Sequence, residues 1–226
     1  MNEQFVRTIG LIGQQGFEKL SSSHILVCGL GGVGGTALEA LARSGVSNFT
    51  IIDFDVVSFS NLNRQILYTA KDIDKPKVEI AKNRILDINK SIKVVMINNK
   101  VDETLLKTLS NNYSYIVDAI DDVKGKVALA KFASENNIPL ISSLGMANRL
   151  DPTKVIITTL DKTTMDPLAK KLRYEMRKVG VDTKRINVAF SKEEPIKDGT
   201  SLHSMMMVPS ASGLAIASHV IKELIK

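Results

Sequence analysis

An α/β fold, doubly wound around a mainly parallel sheet, is what the sequence predicts, on three observations. Short, nearly unbroken apolar runs alternate with stretches of helical period, the pattern of a parallel sheet covered on both faces. A glycine-rich turn joins the first of these runs to the first helical stretch. The next run ends in an aspartate, at the carboxyl end where open α/β sheets bind their ligands.

Each element follows in order. HILVCG (24–29) is the first strand, and its glycines lead into a helix over TALEALARSG. FTIID (49–53) is the second, followed by a loop and a helix near VEIAKNRILDIN. KVVMIN, a short helix, YIVDAI, a helix over VALAKFASENN and the strand IPLISS (138–143) continue the alternation. After Arg149 the pattern changes. KVIITTL (154–160) is strand-like, PLAKKLRYEMRKVG is partly helical, and SKEEPIKDGTSLHS is irregular. The tail ASGLAIASHVIKELIK has helical spacing and an apolar face suited to packing on the core or on a second subunit. The expected organisation is one domain over 1–226, with a core at about 5–160, a basic crossover segment at about 161–205 and a C-terminal helix at about 210–226.

Composition narrows the function classes. With 226 residues, 44% of them apolar, the chain can bury a sizeable core. It has no apolar run of membrane-spanning length, and MNEQFVRTIG lacks the order of a signal peptide, so a cytoplasmic location is expected. The single cysteine, Cys28, excludes an intrachain disulfide and a zinc site built from CxxC pairs. Its place after HILV favours packing over thiol catalysis. The net charge is +6, and residues 161–192 hold nine Lys or Arg against four Asp or Glu, a local +5. Such an excess fits a polyanionic partner, nucleic acid first, or a solvated Lys-rich helix face.

The chemistry concentrates in four motifs. GLGGVG sets Gly29, Gly31 and Gly34 in GxGxxG register between a strand and a helix, where backbone can approach a phosphate at a helix N-terminus. Asp53, nineteen residues beyond Gly34, stands where a carboxylate accepts from a ribose. These two features fit NAD and ATP equally. Further on, Arg64, beyond the Asn61 and Asn63 amides, offers a forked donor to phosphate oxygens, and Lys77 in DKPKVEIA offers a second positive charge. Asp121, in YIVDAIDD, is a carboxylate of the kind that holds Mg²⁺ together with phosphate oxygens and waters. That favours adenylation over hydride transfer, because displacement at an α-phosphate builds negative charge that cations stabilise. The plainer alternatives are an Arg64–Asp55 pair, a solvated Lys77, and Asp121 or Asp122 serving as a helix cap.

GLGGVG, DFDVVSFSNLNRQ, KPK and DAIDD, in this order and spacing over residues 5–145, resemble the ubiquitin-activating-enzyme-like family, which includes the activators of thiamine and molybdopterin sulfur carriers. The resemblance implies a Rossmann-like adenylating fold with ATP and Mg²⁺ as cofactors. By matching position it implies ATP contacts from Gly29, Gly31, Gly32, Asp53, Ser60, Asn61, Leu62, Asn63, Arg64 and Lys77, with Asp121 on the metal. Arg7, in RTIGLIG, matches an arginine that in such homodimers reaches into the partner's ATP site.

LDKTTMDPLAKKLRYEMRKVG, VAFSKEEP and VPSASGLAIASHVIKEL are similar to the tRNA threonylcarbamoyladenosine dehydratase branch and extend the resemblance over nearly the whole chain. HSMMMVP departs from the more aromatic form of that stretch. The implied reaction adenylates the threonylcarbamoyl carboxylate on adenosine 37 of tRNA and closes a ring with loss of AMP. Arg64, Lys77, Arg7 and Asp121 would carry it, and Lys170, Lys171, Arg173, Arg177 and Lys178 would grip the anticodon arm. The alternatives are an activator of a sulfur-carrier protein, a non-catalytic subunit of such an enzyme and, last, a nicotinamide oxidoreductase.

Overall fold

A computed structural model describes residues 3–226 apart from Met165, Lys197, Asp198 and Thr200, which fall in the predicted crossover segment. The chain opens with α1 (Val6–Ser22), two helical pieces joined at Gly13, whose φ of 75° breaks the spiral. β1 (His24–Cys28), α2 (Gly32–Ser44) and β2 (Asn48–Ile52) follow. α2 ends because Gly45 adopts a left-handed conformation, φ 113°, which returns the chain to the sheet. After a long loop come α3 (Lys77–Ile88), β3 (Lys93–Ile97), the single turn α4 (Glu103–Leu106), β4 (Tyr115–Asp118), α5 (Val123–Glu135) and β5 (Leu140–Ser143). β6 (Val155–Thr159), α6 (Pro167–Lys178), β7 (Asn187–Ser191) and α7 (Met207–Leu224) complete the chain.

The seven strands lie in the order β3-β2-β1-β4-β5-β7-β6, all parallel except β6, which runs antiparallel to β7. β1 sends Ile25 and Val27 to one face, against Leu38 and Leu41 of α2 and Ile216 and Val220 of α7. It sends Leu26 and Cys28 to the other, against Leu129 of α5 and Leu172 and Met176 of α6. This period of two on a doubly buried strand is the doubly wound arrangement the sequence predicts, and each fully buried aliphatic side chain contributes about 1.5–3 kcal/mol. The cover thins at one edge, where β3 exposes Val95 and Met96. Among the described residues, no helix is long and apolar enough to cross a membrane.

β7 and α1 are additions to the sequence reading. β7 lies between the stretch read as helical and the one read as irregular, and it pairs with β5 on one side and β6 on the other. Its stability comes from that slot, which is built by residues far away in the chain. α7 begins three residues earlier than expected and packs on α2, where Gly213 sits so close that a Cβ would fall 2.5 Å from the Val33 carbonyl oxygen.

The topology fixes where a ligand goes. From β1 the chain moves outward through β2 and β3, then returns to β4 on the opposite side of β1. Cys28, at the end of β1, is in register with Ile52 on one side and Asp118 on the other. The loops after β1, β2 and β4 therefore leave the sheet together, at the switch point.

Candidate active site

At that point lies a cleft of about 450 Å³, lined among others by Gly31, Gly32, Asp53, Arg64, Lys77 and Asp121. Its floor is the glycine turn. Gly29 has φ 85°, and a Cβ there would meet the Ala119 carbonyl oxygen at 2.6 Å; at Gly34 it would meet the Gly29 carbonyl oxygen at 1.8 Å. These two glycines are required by packing. Gly31 has only Gln65 Nε2 near it, at 3.7 Å, so the backbone faces open space there. α2 starts at this turn with no side-chain cap, leaving first-turn N–H groups and the positive end of its dipole toward the cleft.

Asp53 is fixed by the backbone. Its Oδ2 accepts from Leu30 N–H at 2.6 Å and its Oδ1 from Asp55 N–H at 2.9 Å. Burial raises its pKa above the usual carboxylate range, against the opposing effect of those two N–H groups. Each oxygen keeps a further lone pair for a hydroxyl in the cleft. Lys77, at the first turn of α3, is 4% exposed and donates to Asp55 Oδ2 at 2.7 Å. It is a buried cation at the cleft wall, so the reading of Lys77 as a solvated helix residue is set aside.

Arg64 lines the cleft, and its partner is not Asp55. Its Nη1 donates to the Ser60 carbonyl at 2.7 Å and to Asn63 Oδ1 at 2.9 Å, leaving the other donors of the guanidinium available. Asn61 also borders the cleft, and its Oδ1 accepts from Ser58 N–H, closing a tight turn. Three neighbours fall outside the lining. The Ser60 hydroxyl meets that of Ser58, Leu62 packs against the core, and Asn63 donates to the Ser204 carbonyl. The motif is a turn of chain, and of residues 60–64 it brings Asn61 and Arg64, three apart, to the cleft wall. Gln65, which sequence reasoning missed, joins them: it lines the cleft, and its buried Oε1 has no hydrogen-bond partner among the described residues.

The two adjacent acids after β4 divide the work. Asp122 caps α5 by accepting from Gly125 N–H at 2.8 Å. Asp121 borders the cleft, and its carboxylate has no hydrogen bond or ion pair with the described residues. Beneath them is a buried pair that the sequence did not disclose. Lys126 Nζ lies 3.1 Å from both oxygens of Asp118 and also donates to Ser142 Oγ at 3.0 Å and the Ser143 carbonyl at 2.8 Å. Both side chains are fully enclosed, and the pair braces the segment that carries Asp121.

Comparison with known proteins places this geometry. The ThiF family model matches residues 5–226. The chain belongs to the ThiF family. It is 38% identical over 245 residues to the tRNA threonylcarbamoyladenosine dehydratase of Bacillus subtilis, covering 100% of this chain and 96% of that one. To the Escherichia coli protein of the same name it is 37% identical, covering 88% of this chain and 78% of the relative. Crystal structures of the E. coli tRNA N6-threonylcarbamoyladenosine dehydratase, in complex with AMP and with ATP, superpose with a TM-score of 0.93 at 35% identity. They cover 99% of this chain and 94% of theirs.

Two expected sites of this ThiF chain lie outside the cleft. Arg7 is exposed on α1 and does not border the cleft of its own chain. On α6, Lys170, Lys171, Arg177 and Lys178 stand on the outer side, but Arg173 turns inward. Its guanidinium donates to the carbonyls of Leu160, at 3.2 Å, and Thr163, at 3.1 Å, and to the Thr163 hydroxyl. Arg173 therefore anchors the helix, while the other four are exposed. Cys28 is buried, and burial pushes its thiol well up, helped by the nearby Asp118 charge. That environment disfavours a thiolate.

Proposed function

We propose that the protein is an ATP-dependent tRNA threonylcarbamoyladenosine dehydratase, in which residues 1–226 form one ATP-binding adenylation domain. The observation that carries the adenylation chemistry is the partnerless Asp121 carboxylate, set in the same cleft as Arg64 and Lys77 and above an uncapped helix N-terminus. End-to-end similarity to named dehydratases supports the choice of substrate.

Each residue has a role set by its surroundings. Asp53 accepts from ribose hydroxyls with the lone pairs its backbone donors leave free. The Gly31–Gly32 backbone and the first turn of α2 face the phosphates. Arg64 and Lys77 balance their charge, and Arg7 joins them from the second copy in a homodimer. Asp121 would hold Mg²⁺ with phosphate oxygens and waters. A bound Mg²⁺ supplies charge neutralisation at the phosphates.

A carboxylate oxygen of the substrate attacks the α-phosphorus, and the bond to pyrophosphate breaks. In the resulting acyl-adenylate, a nitrogen of the same substituent attacks the carbonyl carbon, loses its proton and expels AMP. The net change in the nucleoside is loss of one water. Because nucleophile and electrophile share one substituent, the effective molarity is on the order of 10⁵ M or more, and no covalent enzyme intermediate is needed. The sealed Cys28 is in keeping with this. The basic outer face of α6 binds the anticodon arm, and the protein works in the cytoplasm.

Mass spectrometry of tRNA nucleosides after incubation with the protein and ATP tests the reading. The expected result is loss of one water from threonylcarbamoyladenosine with one AMP formed per turnover. Asp121→Ala is expected to abolish adenylation, at least about 10³-fold, with an unchanged unfolding midpoint. Normal turnover in that variant would overturn its assignment, and AMP formation only with a sulfur-carrier protein would replace the substrate.

A further inference from the structure

The outer face of α6 contains an aromatic residue that folding does not explain. Ala169, Leu172 and Met176 are the buried line of this helix, and Tyr174 stands opposite them, 61% exposed. Residues three and four apart are surface neighbours on a helix. For Tyr174 those four neighbours are Lys170, Lys171, Arg177 and Lys178, every one a cation. Lys178 Nζ lies 4.1 Å from the ring centroid. The nearby acid, Glu175, pairs with Lys178 and lies on the side of the helix that turns toward the catalytic end of the molecule. There a second cleft, of about 940 Å³, runs from Asp121 and Lys100 at the adenylation site to Lys171 and Glu175 on α6. Tyr174 itself lies in a separate depression, with Lys170, Arg177 and Lys178, so α6 carries the aromatic patch on one flank and borders the cleft toward Asp121 on the other.

We infer that Tyr174 is a stacking platform for an unpaired base of the RNA substrate, with the surrounding cations holding the phosphates on either side of that base. The inference deepens the proposed function and rests on its RNA substrate. A ring of positive charge attracts any polyanion, but an exposed aromatic at its centre adds what only an unstacked nucleobase uses, a flat apolar face. A duplex hides its bases, so the partner is single-stranded, as a tRNA loop is. Held there, a loop lies on the helix whose other flank borders the cleft that reaches Asp121.

The test measures binding of a labelled anticodon stem-loop, and of a blunt duplex of equal length, across a range of salt. Tyr174→Ala is expected to raise the stem-loop Kd by about 5- to 150-fold, the worth of one base–aromatic stack, with the salt slope and the duplex Kd unchanged. Tyr174→Phe keeps the ring and is expected to bind as the parent does. Lys170→Ala combined with Arg177→Ala is expected to lower the salt slope by roughly two on both RNAs. Unchanged stem-loop binding by Tyr174→Ala, an equal loss on the duplex, or an equal loss in Tyr174→Phe would overturn the platform. So would competition by polyglutamate as effective as that by RNA, which would identify an acidic polypeptide as the partner. Dehydration assayed in parallel separates the two readings. Binding through Tyr174 without dehydration sinks the activity alone, and dehydration with an unchanged KM for RNA in Tyr174→Ala sinks the platform alone.

Discussion

The cleft and the outer face of α6 both present cations, and they hold them in opposite ways. In the cleft Lys77 is buried and tied to Asp55, Arg64 is steadied by Ser60 and Asn63, and Asp53 is gripped by two backbone N–H groups. On α6, Lys170, Lys171 and Arg177 extend into solvent around Tyr174. Groups fixed before a ligand arrives discriminate by geometry and act where charge develops. Mobile surface charges attract a polyanion at long range and release it when salt rises. In the proposed function the chemistry is assigned to the first region and capture of a large substrate to the second.

The largest effect is expected where fixed charge is most completely enclosed. Lys126→Met leaves the Asp118 carboxylate buried without its cation, and unfolding by denaturant should show a loss of about 3–5 kcal/mol. Replacing the pair together, Lys126→Met with Asp118→Leu, should recover much of that loss. If the single variant were as stable as the parent, the brace beneath Asp121 would be dispensable. A smaller and more selective effect is expected at the cleft wall. Lys77→Met should slow ATP-dependent turnover roughly 10²-fold while leaving RNA binding intact, whereas Lys170→Ala should weaken RNA binding and leave ATP binding intact. A crossed result in calorimetry with ATP and with RNA would erase the distinction between the two regions.

The smallest effect concerns a charge cluster on the back of α2, distant from either region. Glu39 is buried, which pushes its pKa up, but hydrogen bonds from Arg84 and Arg43 outweigh this and hold the carboxyl below its ordinary range. Its folded-state pKa is thus depressed, so its stabilisation is present above the unfolded-state value and is lost as pH falls through the folded-state value. Glu39→Gln should cost about 1–2 kcal/mol at neutral pH. The gap between parent and variant should close in acid, where the parent carboxylate is protonated, as read from denaturation midpoints at the two pH values.

The sequence carried the half of the molecule whose roles are local. Glycines at fixed spacing, an acid at a strand end and a lysine opening a helix each leave a signature within a few residues, and Gly29, Gly31, Asp53, Lys77 and Asp121 all reach one cleft. Asp121 and Asp122 were separable only in three dimensions, because capping requires the carboxylate whose third following N–H is free, and that N–H belongs to Gly125. Residues whose roles depend on distant partners stayed hidden. β7 exists because β5 and β6 leave a slot for it, and Lys126 of α5 is enclosed because Asp118 and Ser142 meet it from β4 and β5. Arg173 reads as one basic residue among several until Leu160 and Thr163 claim its guanidinium. α1 was obscured by Gly10, Gly13 and Gly16, residues of low helix propensity; Gly13 does break the helix, and docking of the buried side overrides the other two.

The lone sulfhydryl is walled off between sheet and helices. Thiol-directed alkylating reagents have no purchase on it in the native state. A cysteine introduced on any outer surface would then be the sole position to accept a maleimide dye, so the approach of the nucleic acid to α6 could be followed by fluorescence in the otherwise unaltered chain.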